Sequence, residues 1–150
     1  MKRPDFMAQA FAEAEAAAER GEVPIGAVIV HGTEIVARAG NRTRELNDAT
    51  AHAEILAIRE ASDRLGQERL TGLDLYVTLE PCTMCAAAIS FARLRRLYFG
   101  ATDDKGGAVV SGVRFYASPT CHHAPDVYAG IGETRAAEIL KDFFKDRRDL

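Results

Sequence analysis

Residues 73 to 100, "LDLYVTLEPCTMCAAAISFARLRRLYFG", constrain the fold of this chain more than any other stretch. "LDLYVTL" reads as a strand bounded by Gly72 and Pro81, "TMCAAAISFARL" as a helix, and "RRLYFG" as a second strand. A strand, a helix and a strand within about thirty residues leave little freedom. The strands must lie parallel in one sheet, joined by a right-handed crossover.

The flanking sequence extends this unit. Phe6, Ala10, Ala14 and Ala17 recur at helical spacing over residues 5 to 20, and Gly21 stops the helix they predict. "PIGAVIV" and "EIVARAG" predict two strands joined in a hairpin through His31, Gly32 and Thr33. The loop "NRTRELNDAT" follows, and Thr50 is the expected N-cap of a helix over "AHAEILAIREASDRL". After Gly106 the pattern weakens to a "GAVVSGV" segment, a loop through "ASPTCHHAP" and a short strand at "VYAG". A helix over 133 to 147 closes the chain. There is no internal repeat or dividing linker, so residues 1 to 150 are expected to form one domain. The element order predicts an α/β fold, a three-layer α/β/α sandwich around a mixed sheet.

Composition narrows the function classes. Hydrophobic residues make up 47% and charged residues 27% of 150, the balance of a globular protein. No apolar run approaches the roughly 18 residues that suggest a membrane span. The N-terminus is interrupted by acids and does not read as a signal peptide. Three cysteines, an odd number, argue against a disulfide framework, so a cytoplasmic location is expected. The net charge of −3 argues against general nucleic-acid binding but leaves room for a local basic patch.

The chemistry concentrates in "EPCTMC" and "TAHAEILAI". Cys82 and Cys85, three apart at a helix start, have the spacing of a metal clasp or a redox pair. His52, at the start of another helix, is the candidate third donor. Helix N-termini carry partial positive charge, which favours thiolate over thiol. One imidazole and two thiolates leave zinc's fourth tetrahedral position open, as in a catalytic site. Glu54 then serves as a proton carrier rather than a ligand. The pair H-A-E and P-C-T-M-C, in this order, is the H-x-E and P-C-x-x-C signature of zinc deaminases.

With those motifs, the chain resembles the bacterial tRNA-specific adenosine deaminases, which convert a wobble adenosine to inosine. The resemblance runs from residue 5 to about 148, through "GEVPIGAVIV", "GNRTRELNDATAHAEILAI", "LYVTLEPCTMCAAAI", "RRLYFGATDDKGGA" and the terminal "DFFKDRR". It implies a cytidine-deaminase-like fold with a five-stranded sheet, a homodimer, and one zinc ion per chain on His52, Cys82 and Cys85. It also implies proton transfer by Glu54 and a tRNA anticodon stem-loop as partner. By the same likeness Asn41 hydrogen-bonds the flipped base, Asp103 and Lys105 match a D-x-K segment beside the substrate strand, and Phe144 stacks on a base. "SPTCHHAP", residues 118 to 125, departs from the family's common forms.

Other readings stand beside these. A deaminase of free guanine or cytosine would use the same fold and zinc, without a basic rim or a base-stacking C-terminal helix. A zinc-stabilised binding module would not need Glu54. Cys121, His122 and His123 have metal donors, but adjacent residues seldom converge on one ion, so a loop or dimer contact is expected. Arg93, Arg95, Arg96, Lys145, Arg147 and Arg148 are phosphate contacts or plain solvated surface. Phe143 and Phe144 are both core on pattern alone.

Overall fold

The computed structural model of the protein describes residues 4–148, with side chains described as far as Lys145. The first helix, α1 (Phe6–Glu19), begins where the Asp5 carboxylate accepts the Ala8 N–H at 3.0 Å. A hairpin follows, β1 (Gly26–His31) and β2 (Glu34–Gly40), then α2 (Ala53–Leu65). The central unit is β3 (Asp74–Leu79), α3 (Thr83–Phe91) and β4 (Arg96–Ala101). A single 3-10 turn, Phe115–Ala117, precedes β5 (Asp126–Tyr128) and α4 (Glu133–Arg148).

The sheet order is β2-β1-β3-β4-β5. β1 runs antiparallel to β2 and β3, while β3, β4 and β5 are mutually parallel. This is the five-stranded mixed sheet expected from the sequence, with β3 and β4 parallel as the strand–helix–strand unit requires.

Alternation along the strands divides two cores. Ala27, Ile29, Leu75, Val77, Leu97 and Phe99 face one side, packed with Ala53, Ala57 and Ala61 of α2 and Ala86 and Ile89 of α3. Val28, Val30, Tyr76 and Tyr98 face the other, against Phe6, Met7, Ala10 and Phe11 of α1 and Ala136 of α4. Fully burying each large side chain contributes about 1.5–3 kcal/mol. The helix periodicity read at Phe6, Ala10, Ala14 and Ala17 is the buried face of α1. Small residues allow that helix to lie close. A Cβ at Gly26 would stand 2.0 Å from the Ala10 carbonyl oxygen.

The topology collects loops at one end of the sheet. β2 runs opposite to β1 and therefore with β3, so the carboxyl ends of β2, β3 and β4 share an edge with the start of β1. Asn41, Glu80 and Thr102 leave those strands there. Crevices beyond strand carboxyl ends are where open α/β sheets place their sites. Among the described residues, no helix is long and apolar enough to cross a membrane.

Candidate active site

His52 and Cys82 occupy equivalent places. Each is the N-cap residue of its helix, with extended backbone (φ −74°, ψ 154° and φ −73°, ψ 176°), and neither side chain caps its own helix. Both side chains are thereby released toward the space between α2 and α3. The expected cap at Thr50 is not formed. α2 starts three residues later, and the Thr50 hydroxyl donates to Asp48 at 2.6 Å. The capping acceptor is instead Asn41, whose Oδ1 takes the Ala53 N–H at 2.8 Å. A residue just past β2 satisfies the helix end, which frees the local N-cap side chain for the site.

The His52 Nδ1 atom lies 3.7 Å from Cys82 Sγ and 3.5 Å from Cys85 Sγ. Tetrahedral zinc, with its usual bonds to sulfur and nitrogen, would hold such donors about 3.6 Å apart. These are the three residues among those described whose donor atoms gather as a metal set, all within 4.8 Å of one another. The residues present therefore fit the metal.

The charges of the set favour a cation. Cys85, hydrogen-bonded to Cys82, holds the Cys82 thiol down to about 4, and His52 adds to this against the cost of burial. The same hydrogen bond, with burial, pushes the Cys85 thiol up. The hydrogen bond to Cys82 likewise pushes His52 up, against burial. Protons are thus shared among three donors that a metal would hold without them.

Glu54 lies two residues after His52, in the first turn of α2, and is 4% exposed. Burial pushes its carboxyl up to about 7, with the negative Cys82 adding to the rise and its own backbone N–H and His52 opposing it. A carboxyl near neutrality can both accept and return a proton.

A cavity of about 130 Å³ lies against this group, lined by Ile25, His52, Glu54, Leu79, Glu80, Cys82, Asp103 and Gly106. A wider cleft of about 430 Å³ shares Ile25, Leu79 and Asp103 with it and continues to Val23, Ala101, Thr102, Ala137, Leu140 and Phe144. The two adjoin at Asp103.

Two buried carboxylates hold the loops on either side. Glu22 accepts the Arg44 and Glu45 N–H groups at 3.2 and 2.8 Å, fixing the loop after β2. Glu80 accepts from Asp103 and from residues 109 to 111. Neither stood out in the sequence. For Glu80 the available signal was a charged residue abutting a buried strand, with a glycine-containing loop downstream whose N–H groups need acceptors.

The other expected residues separate. Asp103 borders both cavities, and its Oδ1 accepts the Lys105 and Gly106 N–H groups. Lys105 is exposed and lines neither, and Asn41 is buried with its oxygen committed to α2. Phe143 is buried, whereas Phe144 is 45% exposed and lines the wider cleft. Arg95 makes a two-bond pair with the buried Asp74 at 3.0 and 2.8 Å, so it is tied to the fold. The side chains of Arg147 and Arg148 lie outside the described residues. His123 Nε2 meets the Leu94 carbonyl at 2.8 Å, and the Cys121 thiol donates to the His123 carbonyl at 3.2 Å. That segment anchors the end of α3, and among the described residues Cys121 and the two histidines form no metal set.

Comparison with known proteins identifies the relatives of this arrangement. The profile of the MafB19-like deaminases matches residues 1–148. The tRNA-specific adenosine deaminase of Agrobacterium fabrum (strain C58 / ATCC 33970) is 68% identical over 147 residues, covering 98% of this chain and 97% of that one. The chain belongs to the tRNA-specific adenosine deaminase family. A solved structure from biochemical and structural studies of A-to-I editing by tRNA:A34 deaminases agrees with this membership. It is 71% identical, with a TM-score of 0.89, covering 90% of this chain and 98% of its own. A guanine deaminase from Nitrosomonas europaea shares the fold at 21% identity and a TM-score of 0.81, covering 92% and 82%.

Proposed function

We propose that the protein hydrolytically deaminates the wobble adenosine of a tRNA anticodon loop to inosine, using one zinc ion per chain held by His52, Cys82 and Cys85. The observation that carries the reading is a buried carboxylate, Glu54, set beside three donors at tetrahedral spacing in a member of this deaminase family. A structural metal site has no use for that carboxylate.

Bound there, zinc supplies a Lewis acid that makes the attacking water more acidic. The remaining work belongs to the chain. Ile25 and Leu79 provide apolar walls for the base, and burial excludes bulk water from Glu54. Glu54 takes a proton from the attacking water and passes it to adenine N1 as oxygen bonds to C6. The carboxylate then takes the remaining proton of the new C6 hydroxyl and delivers it to the departing amino group, so that the C6 carbonyl forms and ammonia leaves as the C6–N bond breaks. Asn41, oriented by its bond to Ala53, directs its amide donors at the base. Phe144, Asp103 and Lys105 meet the nucleotides beside it.

A base must leave its stack to enter a pocket of this size, at a cost of a few kcal/mol that is least in a single-stranded loop. An anticodon loop meets that condition. The same reading includes a homodimer and a cytoplasmic location, where charged tRNA is used. The test is a substrate panel: an anticodon stem-loop beside free adenosine, cytosine and guanine. Inosine should form in the stem-loop. Efficient turnover of guanine or cytosine with an untouched stem-loop would make this a free-base deaminase.

A further inference from the structure

Glu80 sits between β3 and Cys82 and lines the smaller cavity, yet both its oxygens are spoken for. Oε1 accepts the Asp103 N–H and the Ser111 hydroxyl, each at 2.9 Å. Oε2 accepts three consecutive backbone N–H groups, from Val109 at 3.0 Å and from Val110 and Ser111 at 2.9 Å. A carboxylate offers about four lone-pair sites, and five donors exhaust them. Glu80 is 2% exposed. It therefore has no capacity left to bind substrate or carry a proton.

Its partners are the two ends of one loop. Residues 102 to 111 leave β4, pass over the site and return, and a single carboxylate ties the start to the finish. The loop fits itself around that carboxylate. A Cβ at Gly107 would stand 2.5 Å from the Glu80 carboxyl carbon, and the Gly107 backbone bridges to Cys82. Inside the clasp, Asp103 turns the chain through Lys105 and Gly106. Asp103 and Gly106 then form a wall of the small cavity, and Thr102 and Asp103 a wall of the wider cleft.

We propose that Glu80 is a positioning residue, which acts through the 102–111 loop to set the wall shared by the base pocket and the flanking cleft. It governs how well substrate is held, while Glu54 governs the chemistry. This rests on the deaminase reading above for its kinetic arm alone. Gln cannot replace it, because its amide NH2 would face backbone N–H groups that need an acceptor.

The experiment compares wild type, Glu80→Gln and Ser111→Ala, the last removing one hydroxyl from the clasp and leaving Glu80 in place. Zinc per chain, limited trypsin cleavage after the exposed Lys105, and kcat and KM on the anticodon stem-loop are measured. Glu80→Gln should keep its zinc and be cut after Lys105 about ten-fold faster, because a lost hydrogen bond to a charged group weakens the closed loop to that extent. Its KM should rise about ten-fold with kcat within roughly two-fold, since ground-state and transition-state binding fall together. Ser111→Ala should shift cleavage and KM the same way by a smaller factor.

Unchanged cleavage and KM in both variants would overturn the proposal. So would loss of zinc together with kcat in Glu80→Gln at normal KM, which would make Glu80 a support for the metal-binding helix. If Glu80→Gln does not fold, Ser111→Ala decides alone, an unmoved KM and cleavage rate refuting the clasp. A wild type inactive on the stem-loop would refute the tRNA reading, and the proteolysis comparison would still judge the loop.

Discussion

The centre of the site and its rim are built on opposite terms. At the centre, Cys85 and Glu54 are buried, and His52 and Cys82 are half-buried N-cap residues of α2 and α3. At the rim, Phe144 is 45% exposed on the last helix and Lys105 stands free on a loop. Chemistry needs donors fixed to fractions of an ångström and shielded from water. Recognition of a nucleic acid needs the reverse, groups left open to meet stacked bases and phosphates. The difference implies that one region can be disabled while the other keeps working.

Removing the metal donors is the harshest way to divide them. Cys82→Ala combined with Cys85→Ala should leave no zinc detectable by elemental analysis, where the wild type should carry about one per chain, and no detectable inosine formation. Full zinc in that variant would mean the ligands lie elsewhere. Next comes Glu54→Ala, which removes a proton carrier and no donor. It should retain zinc and lose about 10²–10⁴ in kcat, the usual worth of a positioned acid–base group. Wild-type turnover would leave Glu54 without a role.

Changes at the rim should be smaller. An aromatic stack on a base is worth about 1–3 kcal/mol, so Phe144→Ala should weaken stem-loop binding roughly ten-fold or more with zinc and melting temperature unchanged. A stable variant with unaltered affinity would remove the stacking role. Arg95 sharpens the boundary from the other side, because its charge belongs to Asp74 and not to RNA. Arg95→Ala should lower the melting temperature, because it strands the buried Asp74 carboxylate without its partner. Its stem-loop affinity should hold. A drop in affinity without a drop in stability would return Arg95 to the rim.

What the sequence disclosed follows the same division. The strand–helix–strand unit, the hairpin and even the three-residue β5 at "VYAG" were readable, because each is written in local periodicity and turn residues. His52, Cys82 and Cys85 were readable because a short motif carries them. The cap on α2 was not, since Asn41 reaches Ala53 across 12 positions and displaces the nearer Thr50. Glu22 and Glu80 escaped for a related reason. Their partners lie 22 to 31 residues away, and a buried carboxylate gives no sign in a pattern of apolar spacing. Phe143 and Phe144 are adjacent and chemically identical, and the placement of α4 alone sends one inward and the other to the cleft. Arg95 looked like Arg93 and Arg96 until the fold brought Asp74 of β3 within reach of its guanidinium.

The separation of centre from rim is tested most directly by titrating a fluorescent anticodon stem-loop with Glu54→Ala and with wild type, each at full zinc. The account predicts that the inert variant binds the stem-loop within about two-fold of wild type while forming no inosine, as expected when a group acts on the transition state alone. Loss of binding in step with loss of activity would contradict it, and would show that Glu54 holds the substrate rather than moving its protons.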